Sequence, residues 1–253
     1  MPLDRFLNVP EGPSRSLVVA NRTEPEPFQR MLEELFTDQA ITVSESVEAE
    51  YDENTVLLVE DGAVVATSPL QALSDAILMV NSDLFITGAR TLDATTVPDV
   101  IDGLTDVPFT LRGYPESDSE KLLLILISRH IERLAYEEGT GRLRSSFQRL
   151  SRIDDERGTR EVYEAVAETD VDVHVYGRPD WTPPEEFDVT IHGGYKRDFR
   201  RSWFVIYNPP AESTESSGAA LLAIETDDGV WEGFWTYDQS IVDDLTADIR
   251  KNL

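Results

Sequence analysis

The 253-residue chain contains no cysteine. Disulfides, thiolate metal sites, thiol nucleophiles and thioether-linked chromophores are thereby excluded. Lysine is nearly absent: Lys121, Lys196 and Lys251 are the only three, so 19 of the 22 basic residues are arginines. Histidine is as scarce. His130, His174 and His192 form the whole set, and none has a second ligand at a recognised metal spacing. Long apolar runs are missing too. The longest is "LLLILI" at 122–127, far short of the ~20 residues a membrane span needs. "MPLDRFLNVPEG" lacks the charged-then-apolar pattern of a secretory leader. A cytoplasmic protein with no membrane partner is the expectation.

Catalytic motifs are lacking as well. There is no GxxxxGK[ST] loop, no GxGxxG after a strand and no GxSxG elbow. Hydrolase, kinase and dehydrogenase chemistry gain no support, the identity of any cofactor is left open, and the chain is not expected to be an enzyme. Abundant instead are acids: 49 Asp and Glu against 22 basic residues give a formal charge of −27. Acid-rich, lysine-poor surfaces suit concentrated salt, where the Debye length falls to roughly 3 Å and self-repulsion fades. A halophilic source is one reading and an acidic mesophile protein the other. The regular apolar segments argue against disorder. The field of such a chain makes duplex DNA a poor partner.

Pattern along the chain predicts an α/β or α+β fold of two similar halves, each with a mixed sheet, a hairpin and flanking helices. In the first half, "SLVVA" and "AITVSESV" read as strands around a helical "PEPFQRMLEELF". "NTVLLVEDGAVVATS" reads as a hairpin turned at Asp61-Gly62. "SPLQALSDAILMV" follows as a helix, with Ser68 as its cap and Pro69 at its first position. "DLFITG" reads as a strand, "VPDVIDGLTD" as a short helix and "FTLRG" as extended. A long helix then runs through "PESDSEKLLLILISRHIERLAYEEGTG" and stops at Gly139. Its apolar first half would be buried between layers or at a contact with another subunit. The domain junction is placed near Pro115, dividing an N-terminal portion, 1–115, from a C-terminal one, 116–253.

Six arginines fall in "RLRSSFQRLSRIDDERGTR", residues 142–160. Phe147, Leu150 and Ile153 recur every three residues there, which predicts a helix encircled by positive charge. Val162, Tyr163, Val166 and Ala167 predict a second helical stripe. "DVDVHVYG", "DVTIHGG", "SWFVIYN", "AALLAIET" and "VWEGFWTY" read as strands, the last two joined at Asp228-Gly229. "DQSIVDDLTADIRKNL" closes the chain as a helix. The first-half hairpin and helix compare with "AALLAIETDDGVWEGFWTYDQSIVDDLTADI", as in an old duplication or in any regularly alternating α/β chain.

All four tryptophans lie in the second half, and twelve of the 22 aromatics fall between Tyr176 and Tyr237. Strand alternation sets Trp203 with Tyr207, and Trp231 with Trp235 and Tyr237. One reading is a pocket for a small planar ligand, lined by His174, Tyr176, Trp203, Trp231, Trp235 and Tyr237. The other is an ordinary aromatic core. Arg149, Arg152 and Arg200, the last from a second basic patch, "YKRDFRR", would neutralise an anionic ligand or dock an acidic partner. Pairing within the chain's own acids is the alternative.

Taken together, "GFWTYD" (Gly233–Asp238), "DVDVHVYGRPDW", "SWFVIYN" and "SSFQRLSRI" resemble the DICT sensory domain of haloarchaeal proteins. That family is named for its occurrence with diguanylate cyclases and two-component systems. The resemblance covers about residues 120–253; the first half looks like the N-terminal portion of stand-alone members. It implies a sensory or regulatory role, with light and redox among the candidate signals. It implies no agreed ligand and no catalytic residues, and no cyclase, kinase or phosphoacceptor segment accompanies it. Three functions follow in order: a non-catalytic sensory protein that binds a ligand or a signalling partner, an interaction module that binds another protein or a second copy through its arginines and the "LLLILI" helix, and an enzyme on an unrecognised motif.

Overall fold

The computed structural model describes residues 3–7, 13–25, 41–85, 97–112, 119–155, 157–211 and 217–253, with Arg30, Leu32, Glu33, Phe36 and Gln39 between. After a 3₁₀ turn at Leu3–Leu7, four strands form the first sheet: β1 (Arg15–Ala20), β2 (Ile41–Ser46), β3 (Thr55–Glu60) and β4 (Ala63–Pro69). Helices α1 (Leu70–Phe85) and α2 (Asp99–Asp102) follow, then β5 (Phe109–Arg112) and the long α3 (Ser119–Glu138). The second half runs β6 (Thr140–Arg149), α4 (Arg152–Asp155), α5 (Arg157–Ala167), β7 (Asp170–Arg178), β8 (Thr190–Gly193) and α6 (Arg197–Arg201). It ends with β9 (Ser202–Asn208), β10 (Ala219–Asp227), β11 (Val230–Thr236) and α7 (Gln239–Asn252). The mixed α/β class is as expected.

The first sheet has the order β2-β1-β3-β4, and the second β5-β11-β10-β9-β6-β7-β8. Within the second, β6, β7 and β8 are parallel, and β6, β9, β10, β11 and β5 are successively antiparallel. The run β7-β6-β9-β10 repeats the order and directions of β2-β1-β3-β4. The halves are therefore alike, but the matching strands are shifted by one from the hairpins compared in sequence: β3 adjoins β1, whereas β10 stands one strand away from β6. The junction expected near Pro115 lies outside the described residues. β5, which precedes it, is the edge strand of the second sheet.

Local chemistry explains most elements. Asp61 and Gly62 both have positive φ, 48° and 85°, the type I′ geometry that suits a two-residue hairpin. Asp238 caps α7, its Oδ1 accepting the Ser240 N–H at 2.8 Å. Ser68 departs from its expected role. Its Oγ accepts the N–H of Val100, 3.2 Å away in α2, and Pro69 is the last residue of β4. The start of "DLFITG" continues α1 to Phe85, and its remainder lies outside the described residues. So does most of the helix expected at 25–36, although Arg30, Leu32 and Glu33 are helical.

The principal correction concerns residues 142–149. They form the C-terminal part of β6, a strand held between β9 and β7, and helix begins only at Arg152. A three-residue spacing of Phe147, Leu150 and Ile153 mimics a helix, but here it spans a strand, a turn and a helix start. Leu143, Arg144, Ser145 and Ser146 are all buried, since a central strand is covered on both faces.

One face of the large sheet packs on α3 and α5. Leu143, Val173, Val205, Leu221 and Trp235 sit on that side in a core continuous with Leu17 and Leu58 of the first sheet. The other face, with Phe204, Ile206, Leu222 and Phe234, is covered by Val242, Leu245 and Ile249 of α7 and by Leu3. Leu123–Ile127 of α3 are buried among the chain's own residues, so that stretch of helix offers no apolar face to a partner. Arg129 and Glu132 form a buried ion pair at 2.6 Å, and the Tyr163 hydroxyl donates to Glu132 at 2.9 Å, tying α3 to α5. Among the described residues, no helix is long and apolar enough to cross a membrane.

Gly233 is squeezed between β10 and β5. A Cβ there would lie 2.3 Å from the Leu222 carbonyl oxygen and 2.7 Å from Phe109 Cζ. Gly233→Ala is expected to destabilise the chain by ~1–3 kcal/mol, as overpacking does. Val47→Ala, at a side chain that is 93% exposed, is expected to stay within ~0.5 kcal/mol. Urea denaturation of both variants checks this contrast.

Candidate functional site

Three elements bring Asp102, His130 and Tyr237 together. Asp102 ends α2, His130 lies midway along α3, and Tyr237 sits between β11 and the cap of α7. The Tyr237 hydroxyl donates to Asp102 Oδ1 at 2.5 Å. His130 Nε2 lies 2.5 Å from that hydroxyl and 3.3 Å from the same carboxylate oxygen. The buried Trp235 stands edge-on to both rings, with centroids 6.3 Å from His130 and 5.4 Å from Tyr237. This trio lines a cavity of about 660 Å³, a volume suited to a small ligand.

The cavity is acidic. Asp99, Glu137 and Glu138 line it beside Asp102, and Arg133 pairs with Glu137 at 2.7 Å. Hydrogen bonding to His130, and then to Tyr237, holds the Asp102 carboxyl below the usual carboxylate range against the opposing effect of burial. Burial first, and the neighbouring Asp102 carboxylate second, push the Tyr237 phenol far up. At neutral pH the trio therefore presents a carboxylate and a neutral phenol. Such a wall favours donors and positive charge over anions.

The residues expected to share one pocket are divided by the large sheet. Trp203, Trp231 and Trp235 belong to the core on the α3 side. Trp203 Nε1 donates to Ser128 Oγ of α3 at 3.1 Å, and Trp231 and Trp235 are buried. Tyr237 packs against that same core and reaches the cavity. Tyr176 belongs to the opposite face, with Phe204 and Phe234, and His174 shares its side of β7. The alternation within each strand was legible. The relative facing of β7 and β11 depends on register through β6, β9 and β10, which no single strand encodes.

The arginines divide similarly. Arg149 ends β6 and is exposed, Arg200 is exposed on α6, and Arg152 donates to Gln148 Oε1. Gln148 sits in a bulge with φ of 53° and donates to the Ser202 carbonyl at 2.8 Å. Arg149 and Arg152 thus lie at one end of β6, and Arg200 lies on α6, a helix that packs against that strand. Other arginines are tied to acids: Arg142 to Asp172 at 2.7 Å, Arg160 to Asp154 at 2.7 Å and Glu164 at 2.8 Å, and Arg197 to Asp4 at 2.6 Å.

Sequence reasoning missed His130, Asp102 and Arg144. His130 had a signal, scarcity, but its partners come from distant elements. Arg144 was masked by the helical reading. It is 2% exposed on the face of His174 and Tyr176. His174 Nδ1 lies 2.9 Å from His192 Nε2, and the His192 ring stacks on Tyr176 with centroids 4.3 Å apart.

Residues 103–225 match the family model of DICT, described as the sensory domain in diguanylate cyclases and two-component systems. The matched span takes in β5 through most of β10, and it supports a sensory role. No curated protein matches the chain. Among solved structures, polyphosphate kinase from Porphyromonas gingivalis aligns at 16% identity with a TM-score of 0.37. That alignment covers 61% of this chain and 25% of the kinase, and a likeness of that size carries no argument about fold or activity.

Two pH effects follow. Asp102 has a lowered folded-state pKa, so its stabilising contribution is present above the unfolded value of about 3.9 and is lost as pH falls through the lower folded value. Asp102→Asn is expected to flatten the acid limb of a urea-midpoint curve. Tyr237 behaves oppositely at the alkaline end. Its folded phenol keeps its proton where the unfolded one releases it near pH ~10, so stability falls above that pH. Tyr237→Phe is expected to reduce that alkaline loss.

Proposed function

We propose that this protein is a non-catalytic sensor whose signal is a small neutral or cationic ligand bound in the cavity of Asp102, His130 and Tyr237. The carrying observation is the hydrogen-bonded trio at the wall of a 660 Å³ cavity. Convergent polar groups with shifted acidities in a concave space are where binding sites concentrate. The family match adds the sensory context. Its acids disfavour the anionic ligand considered from sequence, and Trp235 serves as a backing wall. A cytoplasmic setting and an acid-rich surface adapted to salt belong to the same reading.

Signal transmission has a direct route. Tyr237 is followed by Asp238, the cap of α7, and Asp102 and His130 belong to α2 and α3. A ligand that replaced one partner of the Tyr237 hydroxyl would shift the balance between strand end and helix start. The protein would then pass its state to a signalling partner through α7 or α3.

The test is thermal unfolding in dilute and molar salt, with panels of amines, nucleobases, polyols and flavins. A ligand present at a hundredfold excess over its Kd is expected to add about 2.7 kcal/mol of stability. His130→Ala is expected to abolish that gain while remaining folded. A panel that leaves the unfolding temperature unchanged in both salts, or a ligand that stabilises His130→Ala equally, would exclude the cavity as the sensing site. Steady turnover of a bound compound would exclude the non-catalytic reading.

A further inference from the structure

Arg144 presents an electrostatic problem on the side of the sheet away from the cavity. Its Nε and Nη1 are buried and have no hydrogen-bond partner among the described residues. A buried guanidinium is expensive unless an acid or several acceptors accompany it. Burial, the largest influence, acts against its charge, as do Arg142 and Arg250, and Tyr176 favours it. Asp172, across from Arg142 on β7, is already held by Arg142 at 2.7 Å and lies 3.1 Å from His174 Nε2. In a chain with a formal charge of −27, Arg144 thus lies within electrostatic reach of two further guanidinium groups, and Asp172 is committed to one of them.

We propose that this face binds a phosphate group, with Arg144 as the floor, Arg142 and Arg250 as the rim, and His174, His192 and Tyr176 as flanking donors. The register of the sheet builds the site. Arg144 pairs with His174, which pairs with Thr190, and Tyr176 pairs with His192, so β6, β7 and β8 contribute side by side. Arg250 comes from the last turn of α7, which also carries Lys251. Those two charges offset the negative pole at the helix C-terminus. Guanidinium groups make charge-assisted hydrogen bonds to phosphate oxygens. A phosphate would supply the acceptors that the Arg144 nitrogens lack, with a local shift of side chains to admit it.

The histidines distinguish this occupant from a metal ion. Burial lowers both imidazole pKa values and Arg144 adds to that, while Asp172 opposes it, by hydrogen bond and charge at His174 and by charge at His192. A cation placed between the rings would meet the same repulsion from Arg142 and Arg144. An anion there reverses it and favours proton uptake by the imidazoles. Arg250 gives the site a mechanical consequence, since a phosphate held between Arg144 and Arg250 fastens the end of α7 to the sheet. The inference stands apart from the Tyr237 cavity, and His130 serves as its internal control.

The experiment uses the full chain, freed of phosphate and titrated with inorganic phosphate or glycerol phosphate against potassium chloride of matched ionic strength. Unfolding temperature and the imidazole resonances of all three histidines are followed. Phosphate is expected to raise the unfolding temperature and the pKa of His174 and His192, leaving His130 in place. Arg250→Ser, at an exposed position, is expected to weaken binding about tenfold, the equivalent of one charge-assisted hydrogen bond. Arg144→Met is expected to fold, because an apolar side chain of similar size can replace a buried ion, and to lose the response. Should Arg144→Met fail to fold, Arg250→Ser decides alone. Equal affinity for the two ligands assigns the site to the free ion, and tighter binding of the ester assigns it to a phosphorylated small molecule. No response beyond that to chloride at about 100 mM phosphate, an undiminished response in Arg250→Ser, or a response to zinc alone would overturn the proposal.

Discussion

The structure depends on β6 being covered on both faces. It is the strand where parallel and antiparallel pairing meet, with β7 on one side and β9 on the other. Leu143 enters the main core, and Arg144 faces the opposite way beneath the α7 side. A guanidinium in a central strand is an unfavourable choice for packing alone. The sheet around it supplies the Tyr176 phenol and two imidazoles, and the neighbouring Asp172 carboxylate is held by Arg142. Much of the chemistry on this face follows from accommodating that one charge.

The two faces of the sheet differ in sign. The α3 side carries the cavity with Asp99, Asp102, Glu137 and Glu138. The α7 side carries Arg142, Arg144 and Arg250. One layer of strands separates them. α7 is common to both: its cap follows Tyr237, and its last turn carries Arg250. The start of this helix thus adjoins the carboxylate–phenol–imidazole trio, and its last turn carries a cation on the guanidinium side.

Much of the fold was legible because its signals were local. The Asp61-Gly62 hairpin follows from positive φ, the α7 stripe from helical spacing, and the valines of β7 from alternation. The error at 142–149 has a definite cause. "RLRSSFQR" has few apolar residues and so little strand pattern, and the buried arginine and serines make sense only with β7 and β9 in place. The site was legible in part. Tyr237, His174 and Tyr176 were chosen for their residue type and strand position. Their true companions, Asp102, His130, Arg144 and His192, come from elements far away in sequence.

The amino-acid sequence alone determined the charge, the missing thiol chemistry, the strand and helix periods and the likeness to a sensory family. These depend on composition and on contacts between near neighbours, which the order of residues states directly. Tertiary structure alone decided which strands lie side by side and hence which aromatic faces which core. It also decided that Arg144 is buried with two nitrogens unpartnered among the described residues. The physical reason is that a side chain's electrostatic environment sums over everything packed around it, and in a mixed sheet those neighbours arrive from distant parts of the chain.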